Sequence, residues 1–493
     1  MPFVYNIPFF CIFLCMITAI LLSAVKNARV SWCAALFVSS ATAVMSAVLL
    51  AYIARSGETV SFTMGKFAAP LGNEIRFGPL QALLCMCFSS VMALSMLGGK
   101  RDMFHDVDEK KMGLACVMLC MVLASLLALT YTNDVFTAYV FIEVSTISAC
   151  ALVVVKDSAA TLVASIRYLF MSLMGSGLFL FGIAILYALT GHLLMPQLSA
   201  ALAGLMASGD YRLPMAVAAA MITVGLGIKS AMFPFYRWLP DAHGSATTSS
   251  SAVLSGLVLK GYAVLLITMF TRVFSLEAVR ELGLDAPVLL LGFLGMIIGS
   301  LYALREYHSK RLLAYSSVAQ LGYVFMGIGL CTQEGLAAAC FQIIVHAVTK
   351  PLLFVSVGRL SCTVGHEKQL SALRGSAWSV PLAGIGFTVG ALSMVGVPLL
   401  AGFTAKLGLA SASVGGGVQA ALSLLVLALS SVLNAMYYVP ALINIWKSPQ
   451  QTCRMEKDSS FTVAAVLLIA WVLALGTLFW PVTELIEHGL ELM

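Results

Sequence analysis

Runs of about 20 largely apolar residues recur along this chain, each long enough to cross the hydrocarbon core of a bilayer as a helix. They lie at 7–25, 31–54, 79–98, 112–131, 133–155, 160–189, 213–233, 252–271, 287–304, 311–331, 334–358, 378–406, 415–444 and 461–483. Backbone groups in lipid must be satisfied within the segment, so runs of this length predict helices. The chain is therefore expected to be an all-α polytopic membrane protein with about fourteen transmembrane helices. Composition agrees, since only 10% of the 493 residues are charged, against about 25% in a soluble domain. That supply cannot cover a water-facing surface, which excludes a soluble enzyme, a disordered chain and a nucleic-acid binder. The 12 cysteines are scattered, mostly within apolar runs, and no CxxC pair occurs. No zinc site, iron–sulfur site or disulfide framework is expected from that spacing. No Lys or Arg precedes the first run, which is also long for a signal-peptide core, so it reads as a retained span.

The placement of the 28 Lys and Arg residues orients the chain. With Arg167 and Arg311, at helix ends, counted with the adjoining loops, loops after odd-numbered spans hold 18 of them, loops after even-numbered spans hold 6, and 4 fall inside spans. By the positive-inside rule both termini are expected on the outer side of a bacterial or archaeal inner membrane. The longest loops, 55–78 and 191–212, are too short for a core of their own. Arg305, Glu306, Lys310 and Arg311 read as a solvated inner loop.

The four basic residues left inside spans are Lys229, Lys260, Lys350 and Lys406. A lysine at a helix centre costs about 2.5–3.5 kcal/mol on insertion scales, so four imply a polar interior. Glu143, in the fifth span, is the matching acid. His346 precedes Lys350 by four residues and shares its helix face. Together the six define a candidate proton-transfer chain, because burial and a neighbouring carboxylate push a lysine between holding and releasing its proton. Snorkelling is the competing reading for the lysines, Lys406 above all; for His346 it is plain packing, and for Glu143 a structural partnership with one lysine. Asp241 and His243 read equally well as caps of the following helix, and Ser245 to Ser251 as a cap or as the wall of a wetted half-channel. Gly292, Gly295 and Gly299 suit close helix packing.

Two spans should be broken. In the seventh, Pro234 and Pro240 follow Lys229; in the twelfth, Gly396 and Pro398 precede Lys406. Interrupted helices carrying charge in both halves of a chain suggest inverted repeats. The expected organisation is an N-terminal three-helix segment (1–111), two inverted five-helix repeats (112–273 and 287–445) and a C-terminal helix (460–493).

LPDAHGSATTSSSAVLSGLVLKGYAVLL, KRLLAYSSVAQLGYVFMGIGL, HAVTKPLLFVSVG and GVPLLAGFTAK together resemble the antiporter-like proton-pumping membrane subunits. That family is shared by respiratory complex I, Mrp-type cation/proton antiporters and membrane-bound hydrogenases. The likeness runs from about 110 to 445. It implies fourteen helices, two inverted repeats and a central hydrophilic axis, with Glu143 and Lys229 as the pair of the fifth and seventh helices. It likewise implies Lys260 as the connecting lysine, His346 and Lys350 as the polar pair of the eleventh helix, and Lys406 as the terminal lysine. The chain departs from the family in having SATTSSS after DAH, Leu399 after Pro398, and Gly78–Pro79 where an aspartate often opens the third helix.

The expected function is a proton, or sodium/proton, translocating subunit of a complex I-like, hydrogenase or Mrp-type assembly. The alternative is a D-like member of an Mrp-type monovalent cation/proton antiporter, with no redox partner. An inert scaffold is a poorer fit, because apolar residues would serve it better than four lysines. No cofactor or metal motif is present, so the chain reads as a non-redox subunit. Its expected partners are other membrane subunits, protons, sodium and the bilayer, and no nucleic acid.

Overall fold

A computed structural model describes residues 3–63, 67, 72–415, 417–448 and 457–493. Thirteen of its helices are long and apolar enough to cross a membrane. The first to sixth spans are Val4–Ser23, Ala28–Ser56, Pro79–Asp106, Glu109–Tyr131, Val135–Val154 and Ala159–Thr190. The seventh to eleventh are Arg212–Lys229, Thr248–Val273, Asp285–Leu304, Ser309–Gly329 and Gln333–Cys362. The thirteenth and fourteenth are Val418–Trp446 and Ser459–Thr477. The twelfth is split into Pro381–Val395 and Ala401–Ala412, neither long enough to span alone. Counting it as one interrupted span gives the fourteen expected from the sequence.

Burial sorts the helices. Every residue in the apolar windows of the eighth and eleventh spans is buried, and the tenth is nearly so. In the first, second, sixth, thirteenth and fourteenth fewer than half are buried, and residues such as Phe37, Phe170, Phe181 and Leu425 turn outward. The central helices are thus enclosed in protein, and that is where a polar side chain escapes lipid. Close approach depends on missing side chains: a Cβ on Gly292 or Gly299 would fall 2.7 Å from a backbone nitrogen of the tenth span, so the expected role of the ninth-span glycines in packing holds at these two positions.

Several local features depart from the sequence reading. A two-stranded hairpin lies between the second and third spans, β1 (Val60–Thr63) antiparallel to β2 (Glu74–Phe77). Glu74 accepts from Asn133 Nδ2 at 2.6 Å, and Asn133 in turn accepts from Arg272. The 191–212 loop contains a helix, Met195–Ser208. The last span stops at Thr477, and the acidic tail is a separate amphipathic helix, Trp480–Glu491.

The largest correction concerns charge. Arg272 and Arg359 are buried within the eighth and eleventh spans, since both helices outlast their apolar stretches. Lys310 is fully buried and not solvated, its Nζ donating to Ala246 O at 2.8 Å. Its neighbour Arg311 points the other way and binds Asp241 at 2.8 Å and Glu306 at 3.0 Å. Seven Lys and Arg residues are therefore buried among the described residues, against one buried acid, Asp102.

His308, just ahead of the tenth span, caps that helix: its Nδ1 accepts from the Arg311 amide at 3.4 Å. Burial, reinforced by the charge on Lys310, pushes its pKa down to about 4. The unfolded chain takes up this proton at about pH 6.5, so the folded state is penalised as pH falls from about 6.5 towards 4 and is unaffected above. Protonation also removes the capping acceptor. Thermal unfolding midpoints in detergent are therefore expected to fall between about pH 7 and about pH 5, and to fall less in His308→Gln. Equal slopes would remove His308 as the cause.

Candidate functional site

Lys229 is the last residue of the seventh span, where the helix gives way to a turn and a short helix, Trp238–Ser245. Only 1% of it is exposed. Its Nζ donates to Thr146 Oγ1 at 2.6 Å and lies 5.4 Å from the centroid of the Tyr262 ring. Thr146 is three residues past Glu143 and so shares its face of the fifth span. Glu143 is within Coulombic reach of the lysine, yet no ion pair joins them among the described residues. One oxygen of the half-buried Glu143 carboxyl is enclosed and has no hydrogen-bond partner among the described residues. The lysine is parked on a hydroxyl one turn away from the acid expected to be its partner.

Lys260 is fully buried in the eighth span. Its Nζ donates to the carbonyl of Ser255, in the π-helical stretch Leu254–Val258 of the same span. The Ser255 hydroxyl meets Ser317 of the tenth span at 2.8 Å. Single π turns within α-helices recur at functional sites, because they offer main-chain oxygens that a regular helix keeps to itself. His346 and Lys350 are both fully buried in the eleventh span. Neither ring nitrogen of His346 has a hydrogen-bond partner among the described residues, and the ring lies within Coulombic reach of Lys260, Lys350 and His243. Lys350 donates to Leu313 O at 2.8 Å, to the Ser316 hydroxyl, and to Tyr438 Oη at 3.4 Å.

Lys406 occupies the second half of the broken twelfth span and is buried, which rules out snorkelling. It donates to the carbonyls of Met394 (3.1 Å) and Val395 (2.7 Å), the end of the first half-helix, and to Ser431 at 3.1 Å. A cation there complements the negative end of the helix dipole. Gly396, at φ +95°, makes the break, and a Cβ on it would press on Lys406 Cδ at 3.0 Å. The amine also lies 5.1 Å from the Tyr323 ring centroid.

Polar groups not singled out from the sequence connect these sites. Tyr323 donates to Ser430 at 2.9 Å and accepts from Asn434 at 3.1 Å. Asn434 accepts from Tyr437, whose ring packs 4.7 Å from that of Tyr438, a partner of Lys350. Between the tenth and eleventh spans Gln342 donates to Gln320 at 2.8 Å. The signal was available: Ser316, Gln320 and Tyr323 recur at helical spacing on one face of the tenth span. Asp241 and His243 are not cap residues. Asp241 bridges Arg167 (2.6 Å) and Arg311 (2.8 Å); His243 is buried against Phe354, with neither ring nitrogen bonded among the described residues.

Interrupted helices and lysine amines held inside a helical membrane body define a class: polytopic membrane proteins with a charged interior. The chain belongs to the NADH:quinone oxidoreductase/Mrp antiporter transmembrane family, whose profile matches residues 132–433. It is 31% identical over 422 residues to NADH-quinone oxidoreductase subunit N of Desulforudis audaxviator, covering 83% of this chain and 80% of that one. It is 27% identical over 433 residues to a Staphylococcus aureus protein carrying the name antiporter subunit mnhD2, covering 87% and 84%. Its fold matches a chain of the archaeal membrane-bound sulfane sulfur reductase with a TM-score of 0.88, at 23% identity over 99% of this chain and 97% of that one. It also matches a chain of the Mrp complex of Dietzia sp., with a TM-score of 0.85 at 21% identity and the same coverage.

Proposed function

We propose that this chain is the ion-translocating membrane subunit of a larger assembly, moving protons, or sodium against protons, along Glu143–Lys229–Lys260–His346/Lys350–Lys406. The observation that carries the reading is the row of buried lysine amines on the seventh, eighth, eleventh and twelfth spans, each bonded to hydroxyls or main-chain carbonyls and, among the described residues, none to a carboxylate. A scaffold has no use for such a row. An amine held by neutral dipoles gives its proton to the next group without breaking a salt bridge. Glu143, one turn from the acceptor of Lys229, is the movable counter-charge: approach favours the charged amine and retreat favours its release. His346, whose ring nitrogens have no partner among the described residues, lies within Coulombic reach of both middle lysines and serves as an acceptor and donor.

The rest of the reading follows from this axis. Spans four to eight and nine to thirteen form two inverted five-helix units, each ending its polar row beside a broken helix. The assembly lies in a bacterial or archaeal inner membrane with both termini of this chain outside. Its other membrane subunits supply the driving force, as the membership of the solved relatives in multi-subunit membrane complexes supports; any electron transfer occurs in those other subunits. The second reading is an Mrp-type antiporter component without a redox partner, favoured by the 27% identity to an antiporter subunit.

Purification from a mild detergent extract and reconstitution into vesicles separate the two. A redox-driven assembly is expected to acidify or alkalinise the lumen only when the electron donor and acceptor are supplied. An antiporter is expected to dissipate an imposed pH gradient on sodium addition alone. Vesicles that do neither, with all co-purifying subunits present, would overturn the transport reading.

A further inference from the structure

Three metal-ligating side chains from distant parts of the chain converge outside the lysine axis. Asp102 lies in the last full turn of the third span, Cys362 ends the eleventh, and His366 follows in the loop. One ligand atom from each lies within 4.8 Å of the other two. Cys362 Sγ is 3.2 Å from Asp102 Oδ1 and 4.0 Å from His366 Nδ1. Ligands bound at 2.0–2.3 Å to a tetrahedral ion stand about 3.3–3.6 Å apart, so both pairs that involve Cys362 lie within about half an ångström of that spacing. Thr248, at the start of the eighth span, donates to the other oxygen of Asp102 and fixes the carboxylate, the kind of outer support that orients metal ligands. His105, three residues from Asp102, stacks on His366 with ring centroids 4.0 Å apart and planes 9° apart. Parallel rings cannot aim both in-plane lone pairs at one ion, so His105 walls the site and is not one of its ligands.

We propose that Asp102, Cys362 and His366 form a binding site for a borderline transition-metal cation of the Zn²⁺ or Co²⁺ type. Thiolate, imidazole and carboxylate together select that class over Mg²⁺ or Ca²⁺, which take oxygen ligands. On binding, the Cys362 S–H bond breaks, its proton leaves to solvent and a sulfur–metal bond forms, with no electron transferred. Lys156, which binds Asp106 at 2.9 Å, and the nearby Lys310 and Lys368 oppose the ion, so binding is weaker than at a closed four-ligand site. An ion here ties the end of the third span to the end of the eleventh, which bears His346 and Lys350. It does so through the carboxylate that also holds the eighth span, which bears Lys260. The site stands whether or not the transport reading does.

The test is a Co²⁺ titration of the full chain in mild detergent, read by the near-ultraviolet thiolate-to-cobalt charge-transfer band. One saturable equivalent is expected, displaced by Zn²⁺. The band should vanish in Cys362→Ser, require at least tenfold more Co²⁺ in His366→Gln, and persist in Cys33→Ser, which removes an exposed cysteine elsewhere. A wild-type protein that gives no such band overturns the site without recourse to any variant. So does a band that survives Cys362→Ser.

Discussion

Replacing Lys229 by alanine is expected to cut ion transport by the reconstituted assembly more than about tenfold, in the range lost when a positioned proton-transfer group is removed. The fold should survive. The lysine's hydrogen bond goes to Thr146, whose hydroxyl also donates to Ile142 O at 2.8 Å and so is not orphaned by the change. Lys229→Arg sharpens the result. Guanidinium keeps the positive charge and can still reach Thr146, but it does not give up its proton under any physiological condition. If the site needs only a fixed positive charge, Arg should preserve transport; if it needs an amine that titrates, Arg should fail as badly as Ala. The relay reading requires the second outcome. Wild-type flux in Lys229→Ala would end it.

What could be read before the fold was known follows from what bilayers impose. Hydrocarbon thickness sets helix length, so fourteen apolar runs translate into thirteen full spans and one interrupted one. Lysines stand out in such runs, and all four that fall inside them prove to be buried. Lys310 escaped because it sits among Arg305, Glu306 and Arg311, and hydropathy cannot see helix phase. One residue is a turn of about 100°, enough to send Lys310 inward to Ala246 O and Arg311 outward to Asp241. Arg359 falls just outside the apolar run 334–358, yet the helix continues to Cys362 and carries it inside the protein. Tyr323, Tyr437 and Tyr438 are neutral and lower hydropathy little, and Asn434 carries no charge, so only their spacing and their contacts reveal them. Of the Asp102–Cys362–His366 cluster, only Cys362 and His366, four residues apart, left a signal in the sequence. Asp102 and Cys362 are 260 residues apart along the chain, and cysteine spacing reveals only ligands that are close in sequence.

Lys260→Met should separate transport from stability. Lys260 is fully buried, and its amine is held by a carbonyl of its own helix. Methionine has nearly the same length and flexibility, fills the same space and carries no charge to desolvate. Replacing buried charge by well-packed apolar groups is often neutral or stabilising, so the variant should unfold no earlier than wild type, with a gain of up to about 2 kcal/mol. Transport should nevertheless fall more than about tenfold, because the link between the Lys229 and His346/Lys350 ends of the axis is cut. A structural role for Lys260 makes the opposite forecast on both readouts: a lower thermal midpoint and unchanged flux per folded assembly. Measuring both on one preparation therefore leaves no shared outcome. A chain that retains a buried charge at a cost to its stability must recover that cost in what the charge does, and for Lys260 the transport assay is where that has to be seen.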